Sequence, residues 1–135
     1  MTSIRIRPAD DRGAAAVEFA LVAPVLIALL LGIVSFGYAY HVQTVLGNAA
    51  RDGVRVLALS DGADPAAEAR SAAISSAAPS VALTTGQISV TPAAGCDADG
   101  APENATVDIT VADVSLLGGF LAVDLTGSGT MRCNG

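Results

Sequence analysis

The chain has 135 residues, of which 52% are hydrophobic and only 15% charged, with a formal net charge of −6. That balance excludes an ordinary solvated globule and points to a membrane protein, and the length admits one modest domain beside a membrane segment. The excess of acid leaves no basic footprint for nucleic acid.

From Phe19 through Ala50 there is no Asp, Glu, Lys or Arg. Its apolar part, Phe19 to Tyr40, would be roughly 33 Å long as a helix, against a hydrocarbon core of roughly 30 Å. Pro24 falls inside it, so a local kink or a missing backbone bond is expected there. Phe36, Tyr38 and Tyr40 read as an interfacial aromatic belt. A cleaved secretory signal is the competing reading, but signal cores run about 7–15 residues and end in small residues. Here the run is longer and ends in bulky rings, which favours a retained anchor. Arg5, Arg7 and Arg12 precede the span and the next Arg is Arg51, so the positive-inside rule puts the N-terminus in the cytoplasm. The C-terminal part is then extracytoplasmic, and the protein a single-pass component of the cytoplasmic (inner) membrane. The exterior part is acidic, with four Arg against ten Asp and Glu from Arg51 onward.

Beyond the span, Val42, Val45, Leu46, Ala49, Ala50, Gly53, Val54 and Leu57 recur at helical spacing and form one apolar stripe. One continuous helix from about Ala15 to Leu59 is predicted, transmembrane first and amphipathic after. Gly47 and Gly53 each weaken it by roughly 1 kcal/mol relative to Ala. Close packing against another helix and plain surface tolerance both account for them.

Ser60 to Pro65 is a break, with Asp64 as N-cap and Pro65 as first helical residue of a short helix reaching Ala78, where Pro79 stops it. The period then changes to two. Gln87–Thr91 and Ala105–Val111 alternate as strands, and Ala122–Thr126 with Gly129–Met131 suggests a third strand interrupted by glycine. The fold class expected is α+β. A long N-terminal transmembrane and amphipathic helix (14–59) is followed by a small extracytoplasmic domain (60–135). That domain holds a short helix and a three-stranded antiparallel sheet. Cys96 and Cys133, an even pair in an oxidising compartment, read as a disulfide closing a long loop, with about 3–4 kcal/mol of stabilisation. Two free thiols would be the reading in a reducing compartment.

No catalytic constellation is visible. His41, the only histidine, sits at the outer interface without an acidic or cysteine neighbour within a turn. No serine carries a nucleophile-elbow pattern, and neither cysteine has ligand-like company, so neither zinc nor any other cofactor is expected. Asp97, Asp99 and Glu103 make an acidic loop without an EF-hand pattern, and Asn104-Ala105-Thr106 is a glycosylation sequon too short to decide anything. The chain is read as a non-enzyme.

One charge remains to be explained. Glu18 stands one residue before the apolar run, and a charge at the centre of a membrane helix costs on the order of 2.5–3.5 kcal/mol. Its surroundings, Arg12-Gly13-Ala14-Ala15-Ala16-Val17-Glu18-Phe19 and on to Leu26, resemble the start of TadE-like proteins. These are pilin-like components of the tight-adherence (Flp) pilus machinery. Asn48-Ala49-Ala50-Arg51-Asp52-Gly53-Val54-Arg55 is similar to the same family's pattern after the span, so the resemblance covers roughly residues 12 to 58. It does not extend securely over the acidic sheet domain.

The resemblance implies that residues 1–13 are a leader and that a prepilin peptidase cuts between Gly13 and Ala14. Glu18 becomes the fifth residue of the mature chain, followed by Phe19, and pairs with the new terminal amine on its own or a neighbouring helix. The implied partners are that peptidase, other pilin-like subunits and inner-membrane assembly proteins, in the membrane and at a cell-surface pilus. The sizeable exterior domain fits a minor pilin or pseudopilin better than the main filament subunit. A plain helix-terminal acid, held by the macrodipole at roughly 0.3–1 kcal/mol, is the simpler account of Glu18. The alternative function is a signal-anchored extracytoplasmic binding module without processing. A domain released after Tyr40 is a third.

Overall fold

The computed structural model describes residues 11–133; Arg5 and Arg7 lie outside them, and the side chain of Arg12 is likewise not described. Helix α1 runs Asp11–Leu59, helix α2 Pro65–Ala77, and the strands are β1 Ile88–Thr91, β2 Asn104–Leu116 and β3 Leu121–Arg132. This is the expected α+β arrangement of a long apolar helix, a short helix and a three-stranded antiparallel sheet. The chain divides between Val34 and Ser35 into two compact units.

The first unit carries the apolar half of α1, which is already helical at Asp11, the first described residue and ahead of the expected Ala15, and continues through Pro24. Pro24 lacks an N–H and so removes one bond from the ladder, but the apolar residues on either side keep helical geometry. The large side chains here are open on all sides: Phe19 is 72% exposed and Leu30 60%. An apolar helix left uncovered by its own chain is consistent with a membrane span.

The second unit, from Ser35 on, has a two-layer core. The predicted stripe of α1 is its spine, with Val42, Leu46, Ala49, Ala50, Val54 and Leu57 all buried. Ala66, Ala69, Ala73 and Ala77 of α2 pack against it, small enough to let the two helices approach. At Gly53 a Cβ would lie 3.1 Å from the Ala69 carbonyl oxygen and 3.4 Å from Val107 Cγ1, so this glycine marks close packing. Gly47, by contrast, faces open space. The sheet, in order β1-β2-β3, closes the second layer with Ile88, Val90, Ala105, Val107 and Ile109. Its other face is polar, with Ser89, Asp108, Thr110, Ser128 and Thr130 exposed, the alternation expected of a sheet covered on one side.

Boundaries depart from the sequence expectation at several places, each with a physical cause. Helix α2 ends at Ala77, because Ala78 precedes Pro79 and takes extended dihedrals, φ −73° and ψ 146°. Gln87 closes a short 3-10 turn, where its side-chain oxygen accepts from the Thr84 N–H, so the first strand starts at Ile88. The second strand runs five residues beyond Val111 through a bulge between Val111 and Val114. Asp113 takes φ +57° there, and its N–H donates to Asp124 Oδ1 at 3.0 Å. The third strand is not interrupted: Gly127 and Gly129 lie inside a continuous ladder, opposite Ile109 and Val107. They are glycines because α1 crosses the sheet there. A Cβ at Gly129 would lie 2.6 Å from the Ala50 carbonyl oxygen, and one at Gly127 would collide with the Leu46 carbonyl.

Candidate functional site

The residues singled out for function fall on the first turns of α1. Gly13, Ala14, Glu18 and Phe19 are all exposed, and Phe19 opens a row of bare side chains that includes Leu21, Val25, Leu26 and Leu29. The Gly13–Ala14 bond lies within the described helical residues of α1. Ala14 and Glu18 are four apart, so they are neighbours on one face of the helix. A carboxylate at position 18 is thus one turn from any positive charge created at the Ala14 nitrogen. The helix from Gly13 on is long and apolar enough to cross a membrane, and none of its apolar window is buried. Nothing in the described part of its own chain covers that window.

The remaining candidates are dispersed. His41 is exposed on α1, and Asp97, Asp99 and Glu103 are exposed in the loop before β2. Among the described residues no cluster of three or more His, Cys, Asp or Glu side chains is placed to hold a metal ion. Cys96 and Cys133 are bonded, with Cα atoms 5.2 Å apart and a sequence separation of 37. The bridge ties the residue following β3 to the loop before β2, and the Cys133 N–H donates to the Glu103 carbonyl at 2.9 Å beside it.

Two features were not visible in the sequence. A groove of about 780 Å³ lies between α2 and β1, lined by Arg70, Ser71, Ile74, Thr85, Ile88 and Val90 among others. Its one charged group, Arg70, donates its Nε–H to the Ile88 carbonyl at 3.3 Å, and the lining holds no His, Asp, Glu or Lys to act as a base for Ser71, Ser75 or Ser89. Nucleophilic chemistry therefore has no starting point there. The second feature is the β2–β3 turn, where Leu117 has φ +52° and Phe120 is 93% exposed. Positive-φ positions and a bare aromatic cannot be read from a run such as Leu116-Leu117-Gly118-Gly119-Phe120-Leu121, which lacks strand alternation.

Residues 13–55 match the family model described as TadE-like protein. The matched segment begins at Gly13, takes in the whole apolar run, and ends within the stripe of α1 that packs on the sheet. No curated protein and no solved structure matches the chain.

Proposed function

We propose that this chain is a minor pilin or pseudopilin of a tight-adherence (Flp-type) pilus or a related secretion apparatus, and acts structurally, not as an enzyme. The match of residues 13–55 to TadE-like proteins supports a pilus-related role. The observation that carries the finer reading is the position of one acid. Glu18 is exposed at the head of an unburied apolar helix, one turn from Ala14.

In this reading a prepilin peptidase cuts between Gly13 and Ala14 at the cytoplasmic face. Cleavage leaves an ammonium group at the edge of hydrocarbon, where an uncompensated charge is costly. Glu18 of the same or a neighbouring subunit neutralises it, and the pairing sets the register in which subunits join. Loss of residues 1–13 also removes Arg5, Arg7 and Arg12, the charges that hold the N-terminus in the cytoplasm. The helix is then free to leave the bilayer during assembly.

Intact-mass measurement of the native protein from membranes tests this directly. A mature chain starting at Ala14 is the expected result. A chain that keeps Met1 would make the protein a signal-anchored binding module, and one starting after Tyr40 a released domain.

A further inference from the structure

The β2–β3 hairpin returns along α1 toward the apolar run. Higher up, Gln43 Nε2 donates to the Thr126 carbonyl at 2.7 Å. Lower down, the Leu117 N–H at the turn donates to Ser35 Oγ at 3.0 Å. Ser35 precedes Tyr40 by five residues, so the turn reaches back about 7.5 Å along the helix from the aromatic end of the span. What it presents there is apolar. From Val114 to Val123 there is no charged residue, Phe120 is 93% exposed and Leu121 is 48% exposed. On the neighbouring helix Phe36, Tyr38 and Tyr40 are exposed at 74%, 53% and 68%.

We propose that the tip of this hairpin, Leu116–Leu121, is a second membrane contact, seated in the outer boundary of the bilayer beside its own helix. The occupant of this bare surface is lipid, because the tip is bonded to a residue inside the apolar run. Lipid that surrounds Phe36 and Tyr38 meets Phe120 without any further partner. The depth is limited by chemistry. Gly118 and Gly119 expose backbone groups that need water or headgroup partners, which keeps the turn out of the hydrocarbon centre. Asp113 and Asp124, joined by the Asp113 N–H to Asp124 bond, are exposed just beyond the uncharged stretch and stop it from sinking. A wedge of about 5–10 Å is the depth at which interfacial apolar groups settle. No Lys or Arg flanks the tip, so the contact needs no anionic lipid. The hairpin would act as a second foot, fixing the exterior domain against the membrane until the helix is withdrawn.

The proposal rests on the membrane-span reading of α1, and the test separates the two. The chain contains no tryptophan, so Phe120→Trp gives a single probe at a site already bare. The full-length variant is reconstituted in phosphatidylcholine vesicles with bromine-labelled acyl chains, alongside Leu29→Trp in mid-span and Ser80→Trp in the exterior domain. Expected are blue-shifted emission from position 120 and strong quenching by bromines near the headgroups, weaker by deep ones. Position 29 should be quenched most by deep bromines and position 80 not at all. Quenching at 29 with none at 120 overturns the hairpin contact and leaves the span intact. No quenching at either position overturns the span, and the hairpin contact with it. A blue shift at 120 that grows with protein density, without bromine quenching, also overturns it and assigns the tip to a neighbouring subunit.

Discussion

Gly129 of β3 lies against the backbone of Ala50 in α1, so close that a Cβ there would be 2.6 Å from the Ala50 carbonyl oxygen. The obstacle is backbone, which cannot rotate away as a flexible side chain would. Gly129→Ala must therefore lift the helix from the sheet, at a cost of about 1–3 kcal/mol, typical of overpacked cores. Gly47→Ala serves as the opposite case on the helix side. It meets nothing within 4 Å, and replacing a mid-helix glycine gains roughly 1 kcal/mol. Thermal unfolding of the purified chain in detergent, followed by circular dichroism, should shift downward for the first variant and upward for the second.

The Cys96–Cys133 bridge closes a loop with 37 residues of separation, and chain entropy assigns it about 4 kcal/mol. The domain it braces has no large aromatic core, and much of its interior is alanine: Ala49, Ala50, Ala66, Ala69, Ala73, Ala77 and Ala105. So little apolar volume leaves small reserve, and a covalent tie carries a large share of the stability. Reduction, or the pair Cys96→Ser and Cys133→Ser, should lower the unfolding midpoint of the sheet domain by on the order of 15 °C or more. The helical signal of the apolar half of α1 should persist through that transition, and its loss in the same step would refute this division of labour.

Asp64 caps α2, its Oδ1 accepting the Ala67 N–H at 2.9 Å, with Pro65 at the first helical position. Asp64→Ala should cost about 1 kcal/mol, and Asp64→Asn or Asp64→Ser much less, because the bond needs an oxygen acceptor and not a charge. A series of the three in the same unfolding assay checks the ranking.

Much of this fold is legible before any coordinates, and the places where it is not have a common cause. The stripe from Val42 to Leu57 announces its buried face because helical spacing is local, and all of its leucines and alanines are buried as expected. Ala105, Val107 and Ile109 likewise declare one strand face. Gly127 and Gly129 mislead because a glycine in a strand normally means interruption. Here it means that another backbone passes close by, and that information resides in α1, some 80 residues earlier. The bulge at Asp113 and the Leu117–Ser35 bond are tertiary in the same sense, set by where the hairpin must reach and not by its own propensities. At the head of α1, a carboxylate before an uncharged apolar run stands out by composition alone.

Glu18 supports the sharpest functional prediction. Glu18→Gln keeps the size and the polar end of the side chain and removes only its charge. A neutral residue at the membrane edge is easier to insert, so the variant should reach the membrane fraction at least as well as the native chain. Cleavage should be unaffected as well, since Glu18 lies a full turn beyond the Gly13–Ala14 bond. On the proposed function, what should be lost is joining, because an ammonium created at Ala14 then has no counter-ion when helices pack in a medium of low dielectric constant. Glu18→Asp, which keeps the charge on a shorter arm, should restore assembly in part. Fractionation, intact mass and counts of surface pili on the same cells read the three steps separately. Normal piliation with Gln at position 18 would reduce this acid to an ordinary helix-terminal residue.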